Sequence, residues 1–139
     1  MTPLDLLGPW HLAREIDDRH TGQRLRVDGT TRLTVVGEEV GWAESGLLTR
    51  PGAAPARVSR RLRVVRREGG WWVLFEDGRD FHPWRPGGWV EHPCGADHYR
   101  GRILVDPLPV HPVTWQVTWQ VTGPAKDYTA HSVLSRAVD

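Results

Sequence analysis

The chain has 139 residues, a near-even charge balance of 18 Lys and Arg against 17 Asp and Glu, and one cysteine, Cys94. This length predicts one domain, residues 1–139, with a core large enough to fold without a disulfide or a metal. A lone cysteine excludes an intramolecular disulfide and favours a reducing cytoplasm. The charge balance argues against a nucleic-acid partner. We also expect no signal peptide and no membrane span, because no apolar run is long enough.

Period-two alternation, interrupted by turn residues, runs through the chain and predicts about ten antiparallel strands. A short apolar segment at Leu4, Leu6 and Leu7 predicts one helical turn ahead of the first strand. The strands are predicted at 10–16, 25–35, 40–48, 58–65, 71–75, 79–84, 89–94, 98–105, 115–121 and 128–137, with a proline-rich loop at 106–112. Ten strands in an open sheet would leave two exposed edges. The pattern therefore favours an all-β, up-and-down barrel around a small-molecule pocket, with a two-sheet sandwich as the alternative.

Eight tryptophans are many for this length, and they separate by position. Trp115 and Trp119 share one strand face, as core residues do, whereas Trp84 and Trp89 flank a predicted turn and suit an aromatic pocket rim. The basic run at 57–67 alternates with apolar residues, so part of it is a solvated strand face. Arg60 has the apolar parity of that strand and is predicted to point inward toward an anionic ligand.

Two features stand at opposite ends of the chain, Gly8-Pro9-Trp10 and Arg136. They resemble the calycin superfamily of lipocalins, fatty-acid-binding proteins and nitrobindins, in which a Gly-x-Trp opens the first strand and an arginine lies near the end of the last strand. The resemblance implies a calycin-like barrel after a short helical turn. It also implies that the Arg136 side chain packs over the Trp10 indole and seals the barrel floor.

A second resemblance covers nearly the whole chain through four separated motifs. They are Leu7-Gly-Pro-Trp10 with Arg14-Glu-Ile-Asp17, Asp77-Gly-Arg-Asp-Phe-His82, His92-Pro-Cys94 with Asp97 and Tyr99, and Trp115-x-x-x-Trp119-x-Val-x-Gly-Pro124 with Lys126-Asp-Tyr128. In this order they resemble a bacterial family, domain of unknown function 6314. The resemblance implies a calycin-like barrel with a candidate site among the motifs, and no general activity. One departure is Leu134, where the family often has tyrosine.

Two histidines, His82 and His92, stand on consecutive predicted strands joined by one turn. If these strands pair, the two side chains lie roughly opposite each other. Histidine titrates near neutral pH, so two in a desolvated cavity predict a general acid and base. Asp97, Tyr99 or Asp77 would orient them or stabilise developing charge. The alternative is that these polar side chains only tie strand ends together.

Four further polar residues are candidates for holding a substrate. Arg79 can clamp a carboxylate, although Asp77-Gly78-Arg79 is first of all a hairpin turn. Cys94 is either an activated thiolate or a buried, inert thiol. Lys126, the only lysine, is either an anion contact or a solvated turn residue, and Tyr128 follows it closely.

Metal and haem are alternatives to a site without a cofactor. His82, His92 and Cys94 offer three metal ligands, with Asp97 or His98 as a fourth, at a spacing that matches no familiar zinc pattern. His131 or His92 would bind a haem. No nucleotide or flavin motif is present.

The sequence therefore predicts a small-molecule-binding barrel, monomeric or homodimeric, that needs no metal and has no nucleic-acid or membrane partner. We predict a cofactor-independent isomerase, cyclase, lyase or hydrolase that uses His/Asp acid–base catalysis. The alternatives are a non-catalytic carrier or sensor of a hydrophobic ligand or haem, and an accessory protein whose polar motifs only close the barrel.

Overall fold

The computed structural model describes residues 1–106 and 113–136. A 3-10 helix, Pro3–Leu6, is followed by β1 Gly8–Asp18, β2 Gln23–Val36, β3 Glu39–Thr49, β4 Ala56–Arg67, β5 Gly70–Phe75, β6 Asp80–Pro83, β7 Trp89–Cys94, β8 Asp97–Val105, β9 Thr114–Gly123 and β10 Lys126–Ser135. In these residues the strands form one antiparallel sheet, in the order β6-β5-β4-β3-β2-β1-β10-β9-β8-β7. The predicted all-β, ten-stranded barrel and its helical turn are confirmed. Most of the predicted loop (107–112) and residue 137 lie outside the described residues.

Alternation along the strands separates a barrel interior from an outer face. In β1, for example, Trp10 and Leu12 are buried while His11 is exposed. The core fills the end of the barrel next to the 3-10 helix, where odd-numbered strands begin and even-numbered strands end. Its buried side chains include Leu6, Trp10, Leu12, Leu33, Val40, Trp42, Val64, Trp84, Trp115 and Leu134. No helix in the described part of the chain is long and apolar enough to span a membrane.

The barrel floor is sealed in the way that the calycin resemblance implies. The Arg136 guanidinium lies 3.9 Å from the centroid of the Trp10 ring, and Arg136 Nη1 donates to the carbonyl of Leu7 at 2.9 Å. Trp10 Nε1 donates to the carbonyl of Leu6 at 2.7 Å, and the Leu6 side chain is fully buried. These contacts tie the 3-10 helix to β1 and to the segment that follows β10, so the helix closes this end of the barrel.

The barrel has a seam between its edge strands, β6 and β7. No hydrogen-bonded ladder joins these two strands, so the expected pairing of β6 with β7 is wrong. His82 instead pairs with Val73 on β5, whereas His92 pairs with Tyr99 on β8. Proline contributes to the gap, because Pro83 has no backbone N–H and edge strands are where sheets tolerate proline.

Candidate functional site

A cavity of about 450 Å³ opens at the seam, at the end of the barrel opposite the floor. We call it the seam cavity. Its lining comes from both sides of the seam because β5 and β7 end here while β6 and β8 begin. The lining residues are Arg60, Leu62, Phe75, Arg79, Asp80, Phe81, His92, Pro93, Cys94 and Tyr99.

Phe75 and Phe81 line one wall of the seam cavity, and Trp119 is stacked behind Phe81 without lining the cavity itself. Phe81 lies between Phe75 and Trp119, with ring centroids 4.5 and 4.9 Å away and interplanar angles of 17° and 12°. His92 stands edge-on to Phe75 at 5.5 Å and to Phe81 at 5.2 Å. Tyr99 in turn meets His92 edge-on at 6.0 Å. The wall therefore presents planar rings in the two orientations in which aromatic groups attract one another.

A glycine makes room for the last ring of this stack. Gly101 on β8 pairs with Trp119 on β9. A Cβ at position 101 would lie 2.6 Å from atoms of the Trp119 ring. Because no side chain occupies that space, the indole lies flat against β8 and reaches Phe81.

His82 is a buried, neutral ring rather than a cavity side chain. It is 3% exposed, and its Nδ1 lies 2.8 Å from the carbonyl of Pro83, so Nδ1 carries the proton. Burial is the main cause that lowers the pKa of His82 to about 4. The hydrogen bond to Pro83 opposes this shift, and the nearby His92 and Arg60 add to it. At neutral pH the ring is therefore uncharged and has no second proton to give, which does not fit a general acid.

Four of the predicted site residues come together beside the seam cavity. Lys126 Nζ donates to the Tyr99 hydroxyl and to Asp97 Oδ2, each at 3.0 Å. Tyr99 and Asp97 hold the pKa of Lys126 well above its usual range, so the amine stays protonated and is not a nucleophile. Tyr128 interacts with Tyr99, and burial is the main cause that raises the pKa of Tyr128.

Two more predicted residues lie at the cavity rim. Arg79 donates through Nε to Asp77 Oδ2 at 2.7 Å and lies 5.1 Å from the centroid of the Phe75 ring. Its side chain is mostly exposed. Cys94 lines the rim and is also exposed, so the alternative of a buried thiol is wrong.

The predicted aromatic rim does not exist at Trp84 and Trp89. Trp84 is buried near the floor against Trp42, and its Nε1 donates to the carbonyl of Met1 at 3.1 Å. Trp89 lies outside the barrel, where Arg100 and Arg102 stand 4.0 and 4.5 Å from its ring centroid. The turn between them marks the floor end of the seam, because β6 ends and β7 begins there, so neither ring reaches the cavity.

The structure bears on the metal alternative and on one of the two haem candidates, His131. They contain no group of three or more His, Cys, Asp or Glu side chains arranged to hold a metal ion. His131 faces outward on β10, with Nδ1 2.8 Å from the Thr118 hydroxyl, so it cannot bind a haem inside the barrel. The two rings suggested as joint metal ligands, His82 and His92, are both packed edge-on against Phe81.

A buried ion cluster that the sequence analysis missed lies next to the seam cavity. The Glu44 carboxylate, 6% exposed, accepts hydrogen bonds from Arg14 Nη2 at 2.8 Å, Arg60 Nη2 at 2.9 Å and the Thr31 hydroxyl at 3.0 Å. Arg14 Nε also donates to the Ser132 hydroxyl at 2.7 Å. Burial alone would raise the pKa of Glu44, but the two arginines hold it below its ordinary value. Glu44 is therefore ionised.

The signal for this cluster was present in the strand alternation. Glu44 follows Trp42 by two positions and Arg14 follows Leu12 by two, so both share the parity of core residues. The predicted inward orientation of Arg60 is confirmed by its bond to buried Glu44.

The fold and its cavity define an up-and-down antiparallel β-barrel. Residues 6–136 match the model of the Family of unknown function (DUF6314), and the chain belongs to that family, as its motifs indicate. A solved structure with a similar fold is the S-type phycobiliprotein lyase CPES from Guillardia theta, at a TM-score of 0.63 and 12% sequence identity, covering 99% of this chain and 91% of that one. No curated protein sequence matches the chain. At this identity the likeness establishes a shared fold.

Proposed function

We propose that the barrel binds a small planar aromatic or conjugated molecule in the seam cavity. The observation that carries this proposal is the stacked pair of Phe75 and Phe81 that lines one wall of an open cavity, with Trp119 stacked behind Phe81. Aromatic side chains attract planar π-systems through offset stacking and edge contacts. Barrels of this size accommodate one small ligand, and ligand pockets combine such apolar walls with a few polar groups.

The structural neighbour supports one member of this ligand class, an open-chain tetrapyrrole. The neighbour is a phycobiliprotein lyase of the same fold. A bilin combines a conjugated body with carboxylate groups, and the seam cavity offers aromatic rings and the Arg60 guanidinium. Biliverdin is therefore the first natural chromophore to test.

The test compares ligand binding by two matched variants. Phe75→Leu removes the outermost ring of the stack and keeps an apolar side chain, whereas Trp89→Leu removes a ring on the outer face. We expect Phe75→Leu to weaken biliverdin and N-phenyl-1-naphthylamine binding by about three- to tenfold, the usual size of one aromatic contact. Trp89→Leu should leave both affinities unchanged. Binding is followed by ligand fluorescence or absorbance, and equal losses in both variants, or no binding by the wild type, would overturn the proposal.

Acid–base catalysis on the bound molecule is the second candidate function. Tyr99 and His92 both line the seam cavity, and Tyr99 is hydrogen-bonded to Lys126. In this version a proton moves between the ligand and His92 or Tyr99, while Lys126 and Asp97 hold the phenol in place. His82 contributes through packing.

Conversion of the ligand separates catalysis from binding. The bound molecule is incubated with the wild type, His92→Gln and Tyr99→Phe, and its mass and absorption spectrum are measured over time. Catalysis requires conversion by the wild type and slower conversion by a variant that still binds. Recovery of unchanged ligand from the wild type contradicts the catalytic candidate and leaves a carrier or sensor.

A further inference from the structure

We propose that Arg60 is the anion-binding residue of the seam cavity, so that the ligand carries a carboxylate or another anionic group. This inference rests on the proposed function and specifies its ligand class. Arg60 reaches the cavity from β4, opposite the rim formed by β7 and β8.

The first argument is the charge of the ion cluster. Arg14 and Arg60 share one carboxylate, that of Glu44, so these three side chains carry a net charge of +1. Among the described residues no second carboxylate forms an ion pair with either arginine. A ligand anion beside the guanidinium groups would complete the charge balance where the low dielectric strengthens such pairs.

The second argument is that Arg60 is the arginine of the cluster that a ligand can reach. Arg14 is 17% exposed and has both Nε and Nη2 engaged, by Ser132 and Glu44. Arg60 is 40% exposed, and its Nη2 bonds Glu44. The Arg60 side chain also borders a smaller cavity of about 100 Å³ that Arg14 and Glu44 line, so it is the member of the ion cluster that borders both cavities.

The third argument is that the other cations near the cavity are neutralised by their own partners. Arg79 bonds Asp77 at the rim, and Lys126 bonds Asp97 at 3.0 Å. Each of these pairs is close to neutral. Glu44 acts as a positioning residue in this scheme, because its bond to Arg60 Nη2 holds the guanidinium toward the barrel interior.

The experiment uses two fluorescent probes with the same ring system. 1-Anilinonaphthalene-8-sulfonate is anionic and N-phenyl-1-naphthylamine is uncharged. Arg60→Met removes the proposed anion contact, and Arg61→Met is the matched control because Arg61 is exposed on the outer face of the same strand. Arg60→Lys keeps the charge and serves as a second variant should Arg60→Met fail to fold.

We expect Arg60→Met to lower the affinity for the sulfonate probe about tenfold or more, the size of a lost charge-assisted hydrogen bond, and to leave the neutral probe unaffected. Arg60→Lys should retain part of the sulfonate affinity, and Arg61→Met should change neither affinity. Equal effects of Arg60→Met on both probes, or none on either, would overturn the role of Arg60 while the proposed function stands. If neither probe binds the wild type, the proposed function fails and this inference fails with it.

Discussion

Inside the barrel, the Glu44 carboxylate lies between two guanidinium groups and accepts a third hydrogen bond from Thr31. Glu44→Gln keeps the shape of the side chain and removes its charge, leaving Arg14 and Arg60 close together without a counter-charge. We expect the free energy of unfolding to fall by about 3 kcal/mol, since breaking a buried ion pair leaves an uncompensated charge. Urea denaturation measures this loss.

The control for that change is Glu39→Gln. Glu39 pairs with Arg63, and both side chains are more than a third exposed, at 35% for Glu39 and 40% for Arg63. An exposed pair of this kind contributes about 1 kcal/mol or less. If Glu44→Gln is as stable as Glu39→Gln, the ion cluster does not carry the energy that its geometry implies.

His82 gives the barrel an acid-sensitive stability. In the unfolded chain its pKa is the ordinary 6.5, and in the folded protein it is about 4. Between these values the unfolded state binds more protons, so the stabilisation is complete above pH 6.5 and is lost as the pH falls toward 4. The loss is about 3 kcal/mol at most. His82→Asn should flatten this part of the stability–pH curve measured by urea denaturation, and a curve as steep as that of the wild type would contradict this role of His82.

At the residue level, the sequence predicts whether a side chain faces the barrel interior better than it predicts which other side chain it bonds. Alternation correctly places Arg60 inside, and the same rule places Arg14 and Glu44 inside. Arg14 and Glu44 are 30 positions apart, however, and only the strand register brings them together. The predicted placement of Trp84 and Trp89 at the pocket rim was wrong. Two residues that flank a turn lie near each other, but the sequence does not show at which end of the barrel that turn lies.

At the level of the elements, the packing of β8 against β9 depends on a glycine, Gly101, which leaves room for the Trp119 ring. Gly101→Ala would place a Cβ 2.6 Å from the Trp119 ring, and the indole, stacked on Phe81, has little room to move. We expect a loss of about 1–3 kcal/mol, typical of overpacking, together with a changed tryptophan emission spectrum. Gly41→Ala is the control, since its Cβ would meet its neighbours at an ordinary 3.7 Å. Equal stability of the two variants would contradict this role of Gly101.

The existence of the strands followed from the sequence, but the seam did not. Period-two alternation reports whether a segment is a half-buried strand, and it does not report which strand lies beside it. A turn between β6 and β7 looked like a hairpin, yet these strands form the two edges of the sheet. The site follows from this difference, because His92 and Tyr99 face Phe75 and Phe81 across a gap rather than across a ladder.

At the scale of the whole molecule, the barrel has a closed end and an open end with different tasks. The 3-10 helix and the Arg136–Trp10 contact seal the floor, while the seam cavity lies at the opposite end. The family motifs follow this division. Those around Trp10 hold the floor. Residues 79–81 of the second motif and His92, Cys94 and Tyr99 of the third line the cavity, and Lys126 bonds Tyr99 beside it. Sequence resemblance could name these motifs, but only barrel closure shows that they meet.

The central claim is that a planar ligand occupies the seam cavity, and Cys94 provides a direct measurement of it. This residue is the only cysteine of the chain, is exposed and lines the cavity. The rate of its alkylation by iodoacetamide is measured with and without saturating N-phenyl-1-naphthylamine, and again in denaturant as a control for the intrinsic reaction. We expect the probe to slow alkylation severalfold in the folded protein and to leave the rate in denaturant unchanged. A bound probe that leaves the Cys94 rate unaltered in the folded protein would contradict the account, because the ligand would then lie elsewhere.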